Sequence, residues 1–90
     1  MSKAESLTES TIKTKIKEFI KDNFLVDFKH NNLDDKDSFF KKGIIDSTGV
    51  LELVSFAEET FNIKVEDEEL IPDNLDSVDK IASFIKKKKL

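Results

Sequence analysis

Gly43-Ile44-Ile45-Asp46-Ser47-Thr48-Gly49-Val50-Leu51-Glu52-Leu53-Val54-Ser55-Phe56-Ala57-Glu58-Glu59-Thr60-Phe61 is the stretch that decides how this chain folds. Turned at ~100° per residue from Ser47, the apolar positions Val50, Leu53, Val54, Ala57 and Phe61 gather between roughly 240° and 340° of arc. Thr48, Glu52, Ser55 and Glu59 gather between roughly 80° and 140°, on the opposite side. This is one amphipathic helix with a core-facing stripe and a polar, acidic face of short side chains. Asp46 and Ser47 open it, because a short oxygen-bearing side chain satisfies first-turn N–H groups. Asn62 closes it in the left-handed position that Gly usually fills. Upstream, Gly43 allows a tight bend, and Ile44 and Ile45 anchor the approach to the core. Gly49 costs up to ~1 kcal/mol inside a helix relative to alanine, and is expected to leave the ground beside Ser47 clear for close approach.

Toward the N-terminus, Ile12, Ile16, Phe19, Ile20 and Phe24 recur at three-to-four spacing behind a Thr8 cap, with Glu9 in the first turn. They predict a second amphipathic helix. From Leu25 to Lys42 no helical period survives. His30-Asn31-Asn32 and Asp34 to Ser38 are turn formers whose side chains compete for backbone hydrogen bonds. Phe28, Leu33, Phe39 and Phe40 are expected to pin this long loop to the core, and long ordered loops usually serve function. Beyond Phe61, Ile63-Lys64-Val65 reads as a brief extended link. Glu66 to Leu70 reads as one short acidic helical turn stopped before Pro72. Asp76 or Ser77 caps a last helix, with Val78, Ile81, Ala82 and Ile85 inward and Phe84 at the edge. The expected fold is all-α: a small four-helix bundle, three principal helices plus one short one, with a long first loop. It forms a single domain over 1–90, with 1–7 frayed and 86–90 a lysine-rich tail.

The chain's 90 residues carry 19 acids and 15 basic side chains, all lysine, for a net charge of −4. The distribution is uneven. Residues 1–45 are close to neutral, 46–79 hold eleven acids and one lysine, and 80–90 hold five lysines and no acid. A block near −10 repels nucleic acid and speeds encounter with basic protein surfaces. The lysine tail, at a helix C-terminus, mainly offsets the helix dipole. With no cysteine there is no disulfide scaffold, thiolate metal site or cysteine nucleophile, and the single His30 makes no histidine cluster. Apolar runs of three residues, such as Phe24-Leu25-Val26, are far short of the ~20 needed to cross a bilayer. The first residues lack the apolar stretch of a signal peptide, so the expected compartment is the cytoplasm.

Catalytic readings fail on the residues. Ser47-Thr48-Gly49 half-matches the G-x-S-x-G nucleophile elbow, but the leading position is Ile45 and the one histidine lies in the loop. Asp34, Asp35 and Asp37 lack the alternating spacing and turn glycine of a calcium loop. Glu58-Glu59 and Glu66 to Glu69 have no apolar context to raise a carboxyl pKa for acid–base work. What stands out is Ser47 at the mouth of a helix, above an acidic face. An Asp-Ser pair alone reads as an ordinary helix start. With Gly43, Ile44, Ile45 and Gly49 around it, a phosphodiester on Ser47 would meet first-turn N–H groups and the positive end of the dipole.

The run Gly43 to Val54 resembles the prosthetic-group attachment motif of the acyl carrier protein family. The likeness extends from about Ile12 to Ile85. It includes Asp37-Ser38-Phe39-Phe40, Glu58-Glu59-Thr60-Phe61-Asn62-Ile63-Lys64-Val65 and the Asp76-Ser77-Val78 helix start. The resemblance implies a four-helix bundle whose serine accepts 4′-phosphopantetheine from coenzyme A through a phosphopantetheinyl transferase. Ser47 would then be the attachment point and Asp46 the acid beside it that the transferase reads. Glu52, Glu58 and Glu59 would meet basic patches on partner enzymes, with Thr48 and Ser55 on the same recognition surface. The motif also departs from the commonest form. Gly43 stands four residues before the serine, Thr48 follows it, Gly49 replaces an acid, and Ser55 replaces an apolar contact residue. The Gly-Ile-Ile-Asp-Ser-x-Gly form is similar to D-alanyl carrier proteins and to carriers served by stand-alone adenylating ligases. Glu66 to Leu70 followed by Pro72 is similar to the general acyl carrier pattern.

The expectation is therefore a monomeric, non-catalytic carrier that binds neither nucleic acid nor metal. It holds an acyl or aminoacyl group as a thioester and delivers it to synthases of lipid, polyketide or specialised metabolite pathways. An adenylating ligase or an acyltransferase loads it. Fatty acyl, specialised acyl and aminoacyl cargo stay open, the last including D-alanine for the cell envelope and nonribosomal peptide pathways. Absence of cysteine fits a protein whose working thiol comes from its cofactor. A filled core is the default; an interior that parts between the second and third helices to admit an acyl chain is the alternative. Readings of another class are an unmodified acidic helical adaptor, in which Ser47 is only a cap, and a degenerate regulatory carrier-like domain, against which the intact Asp46-Ser47 pair argues.

Overall fold

A computed structural model describes residues 8–89. The expected fraying of residues 1–7 and the last residue of the lysine tail lie outside the described residues. Four α-helices follow in order: α1 (Glu9–Phe24), α2 (Ser47–Phe61), α3 (Pro72–Leu75) and α4 (Val78–Lys89), with a 3-10 turn at Asp67–Glu69 before α3. No strand occurs among the described residues, and the molecule is an all-α bundle.

Local chemistry sets the helix boundaries. Thr8 Oγ1 accepts from the Thr11 N–H at 3.2 Å and starts α1. α1 ends where Leu25 turns left-handed at φ 56°, and α2 ends likewise at Asn62. Ser77 caps α4 by accepting from the Lys80 N–H at 3.1 Å, which settles the choice between Asp76 and Ser77. Ile12, Ile16 and Ile20 of α1 are fully buried, and the whole predicted stripe of α2 from Val50 to Phe61 is buried as well. Side chains of this size contribute roughly 1.5–3 kcal/mol each when removed from water.

Two expectations change. The acidic turn at Glu66–Leu70 exists as a 3-10 turn, but a further helix begins at Pro72 itself. Proline at the first helical position loses only an N–H that has no helical partner, so it starts α3 as well as ending what precedes it. Phe84 is buried, not at an edge. α4 packs against both α1 and α3, so its buried arc is wider than contact with one neighbour requires.

The 22 residues between α1 and α2 are ordered by turns and anchors rather than by helix. Phe28 and Phe39 are buried, and Leu33 is half-buried against the core. Asp35 fastens the middle of the loop. Its carboxylate meets Lys17 at 2.7 Å and Lys13 at 3.8 Å, and its carbonyl accepts from the Asp79 N–H at the start of α4. Lys13 in turn meets Asp79 Oδ1, a buried oxygen, at 2.6 Å. The hydrogen bond to Asp79, and then the charges of Asp79 and Asp35, hold the Lys13 pKa above its ordinary value despite partial desolvation.

Candidate functional site

The approach to Ser47 is fixed before α2 begins. Phe39 is fully buried, its N–H donates to the Asp76 carbonyl at 2.7 Å, and its own carbonyl accepts from the Ile44 N–H at 2.9 Å. The Asp76 carboxylate accepts from the Ser38 hydroxyl and, at 3.1 Å, from the Phe40 N–H. Gly43 takes a left-handed φ of 67°, the bend that glycine permits without strain. Ile45 then enters the core. Asp76, at the end of α3, therefore holds the segment that delivers Ser47.

Asp46 is the cap of α2. Its backbone is extended, and Oδ1 accepts from the Gly49 N–H at 2.7 Å. Ser47 is the first helical residue and is exposed, and its hydroxyl has no hydrogen-bond partner among the described residues. The N–H groups of Ser47 and Thr48 lie where an α-helix supplies no acceptor, at its positive end. The arrangement fits a phosphodiester on Ser47: a free hydroxyl to carry it, unpaired first-turn amides to donate to it, and an Asp46 carboxylate oxygen occupied by the Gly49 N–H.

Gly49 has a different reason from the one its position suggests. It is buried, and a Cβ there would stand 2.8 Å from Phe24 Cε1 and 3.0 Å from Ile45 Cγ2. Glycine lets the end of α1 close on the first turn of α2; it does not clear space on the solvent side of Ser47.

Beside Ser47 lies an open apolar groove of about 230 Å³. Phe40, Val50 and Leu51 line it with Ser47 on one side, and Leu70, Ile71, Pro72 and Leu75 line the other. It runs between α2 and the segment carrying α3. Leu51, Phe40 and Ile71 are 52%, 43% and 43% exposed, so three of the four large exposed apolar side chains of the described residues share this groove. From sequence, the space between the second and third helices enters only as the alternative to a filled core, and its lining by Leu51, Ile71 and Pro72 is not foreseen. A signal was present in Leu51, an apolar residue between the two arcs of α2, and in Ile71 directly before Pro72. A larger groove of about 360 Å³ between α1 and the loop is lined mainly by charged side chains, including Lys17, Lys21 and Lys29.

The other expected site residues divide into two groups. Thr48, Glu52, Ser55 and Glu59 are all exposed along one face of α2, and Asp46, the cap before the helix, is exposed as well. Asp46, Glu52 and Glu59 make no ion pair among the described residues, and their charges remain available. Glu58 is half-buried, and its Oε2 accepts from the Val65 N–H at 2.9 Å. That carboxylate holds the link after α2 as well as adding charge. Within the acidic block, Asp79 and Glu69 are neutralised by Lys13 and Lys88. The unpaired charge is thereby concentrated toward α2 and the turn after it.

Compared with protein-family models and with curated proteins, the chain matches none. No group of three or more metal-ligating side chains occurs among the described residues. No helix there is long and apolar enough to cross a membrane.

Proposed function

We propose that this protein is an acyl carrier whose Ser47 hydroxyl is the attachment point for 4′-phosphopantetheine. The observation that carries the reading is the juxtaposition at Ser47: an exposed, uncommitted hydroxyl at the start of α2, bordering an apolar groove and followed by an acidic helix face. The resemblance of Gly43 to Val54 to the attachment motif supports it independently. When attached, the prosthetic group would supply a terminal thiol able to hold an acyl or aminoacyl chain as a thioester.

The chain's own residues account for the rest. Asp46 fixes the helix start and leaves Ser47 unencumbered. First-turn N–H groups stabilise negative charge placed on the Ser47 oxygen. Asp46, Glu52 and Glu59 attract a basic surface on a transferase, a loading ligase or acyltransferase, or a synthase. Exposed charges of this kind are screened by salt and individually weak, which suits a carrier that must release each partner. Leu51, Phe40 and Ile71 offer apolar contact at the centre of that encounter, and no residue of the protein needs to act as a catalyst.

Expression with a phosphopantetheinyl transferase, followed by peptide mass mapping, tests the assignment. The expected result is one phosphopantetheine on the peptide containing Ser47. Modification elsewhere would refute the Ser47 assignment; no modification would refute it and favour the unmodified adaptor, whose partner binding would survive Ser47→Ala.

A further inference from the structure

The far wall of the groove beside Ser47 is anchored at its end by the buried Leu75 and by Asp76, and at its start by Glu69. Glu69 ends the 3-10 turn, and both of its carboxylate oxygens meet Lys88 Nζ of α4, at 2.9 and 3.1 Å. Oε1 also accepts from the Glu66 N–H at 2.9 Å. The Glu69 carbonyl accepts from the Ile71 N–H at 2.9 Å and from Asn74 Nδ2 at 3.0 Å. Leu70, Ile71 and Pro72, which form that wall, come directly after it in the chain. The segment itself is one 3-10 turn and one turn of α-helix, too short to be stable on its own. Lys88 is set apart from its neighbours in the lysine tail. Lys86, Lys87 and Lys89 are exposed, whereas Lys88 is half-buried, with its ammonium 5.8 Å from the centre of the Phe84 ring.

We propose that Lys88, acting through Glu69, is a positioning residue that sets the width of the groove and so how far the protein shelters an apolar cargo. The sheltering half of this inference rests on the carrier reading; the latch itself does not. The bridge joins residues 66–75 to α4 and touches neither α1 nor α2, so its loss is expected to loosen that segment without loosening those two helices.

The latch is tested on the unmodified protein by amide hydrogen exchange. Lys88→Met keeps the apolar stem over Phe84 and removes the charge; Lys88→Arg keeps the charge and acts as the rescue. A half-exposed pair of this kind corresponds to about a threefold change in a local opening equilibrium. The Leu70, Asn74 and Asp76 amides should therefore exchange about threefold faster in Lys88→Met at low salt, with the amides of α1 and α2 unchanged. Lys88→Arg should restore protection, and the difference should shrink at about 1 M salt. Unchanged exchange in 66–76, or a uniform rise across all helices, overturns the latch. On protein carrying an octanoyl thioester, Lys88→Met should speed attack by hydroxylamine about threefold, the same opening factor. Exchange that changes without any change in thioester reactivity overturns the sheltering role. Failure to load Ser47 at all refutes the carrier reading and with it the sheltering half, and exchange alone then decides the latch.

Discussion

The Phe24 ring occupies the space that a side chain at Gly49 would need, with Cε1 2.8 Å from the position of a Cβ there. This contact joins the last residue of α1 to the first turn of α2, two residues after Ser47. This closure and the Asp46 cap both hold the first turn of α2 beside Ser47.

Gly49→Ala is therefore expected to destabilise the fold, although alanine is the better helix former by about 1 kcal/mol. Overpacking against Phe24, Ile45 and the Asp46 carboxylate should outweigh that gain and leave a net loss of about 1–2 kcal/mol. Urea unfolding measures it. In a Phe24→Leu background the loss should shrink or reverse; an equal loss in both backgrounds would place the strain elsewhere.

Asp76 joins the end of α3 to the approach to Ser47, through the Ser38 hydroxyl and the Phe40 N–H. Asp76→Ala removes both acceptors from a partly buried position and should cost about 1–3 kcal/mol. Asp76→Asn keeps one acceptor oxygen and should cost less. Chemical shifts of Phe40 to Ile45 should move in Asp76→Ala even where the protein stays folded.

Lys13 links α1 to Asp79 of α4 and to the loop through Asp35. Lys13→Met keeps the packing of the stem but leaves the buried Asp79 oxygen without its cation. The expected loss is about 1 kcal/mol, because both side chains keep some solvent contact. The loss should be smaller in an Asp79→Asn background, as a double-mutant cycle would show.

The helices were legible because their chemistry is local. Thr8, Asp46 and Ser77 are caps, Asn62 is a left-handed stop, and the α2 stripe from Val50 to Phe61 repeats with helical period. Ser47 at the head of an acidic face could be read from the same run. Features that depend on a second element were not legible. Phe84 faces inward because α3 also covers α4. Gly49 is glycine because of Phe24, twenty-five residues away. Glu58 is tied to Val65, and the groove exists only once Ile71 and Leu75 lie opposite Leu51. Pro72 carries both meanings of proline at a helix boundary, stopping one element and starting another, and the residues before it display only the first.

The Glu69 carboxyl is held below its ordinary value of 4.5, first by the Glu66 N–H and then by Lys88, and desolvation opposes this only in part. A depressed folded-state value means that the bridge contributes fully above that ordinary value and is lost as pH falls through the depressed one. The difference in 66–75 protection between wild type and Lys88→Met should be present at about pH 6 and shrink progressively as pH falls below the ordinary carboxyl value, disappearing once the Glu69 carboxylate is protonated. A difference that persists at the lower pH would show that Lys88 acts on the segment without the Glu69 carboxylate.

The most direct measurement on the central claim is intact mass after incubation with coenzyme A and a phosphopantetheinyl transferase, for the wild-type protein and for Ser47→Ala. The predicted result is a gain of one phosphopantetheine on the wild type and none on Ser47→Ala, with the reaction slowed by salt and by Glu52→Lys. No gain on the folded wild type, or an equal gain on Ser47→Ala, would contradict it.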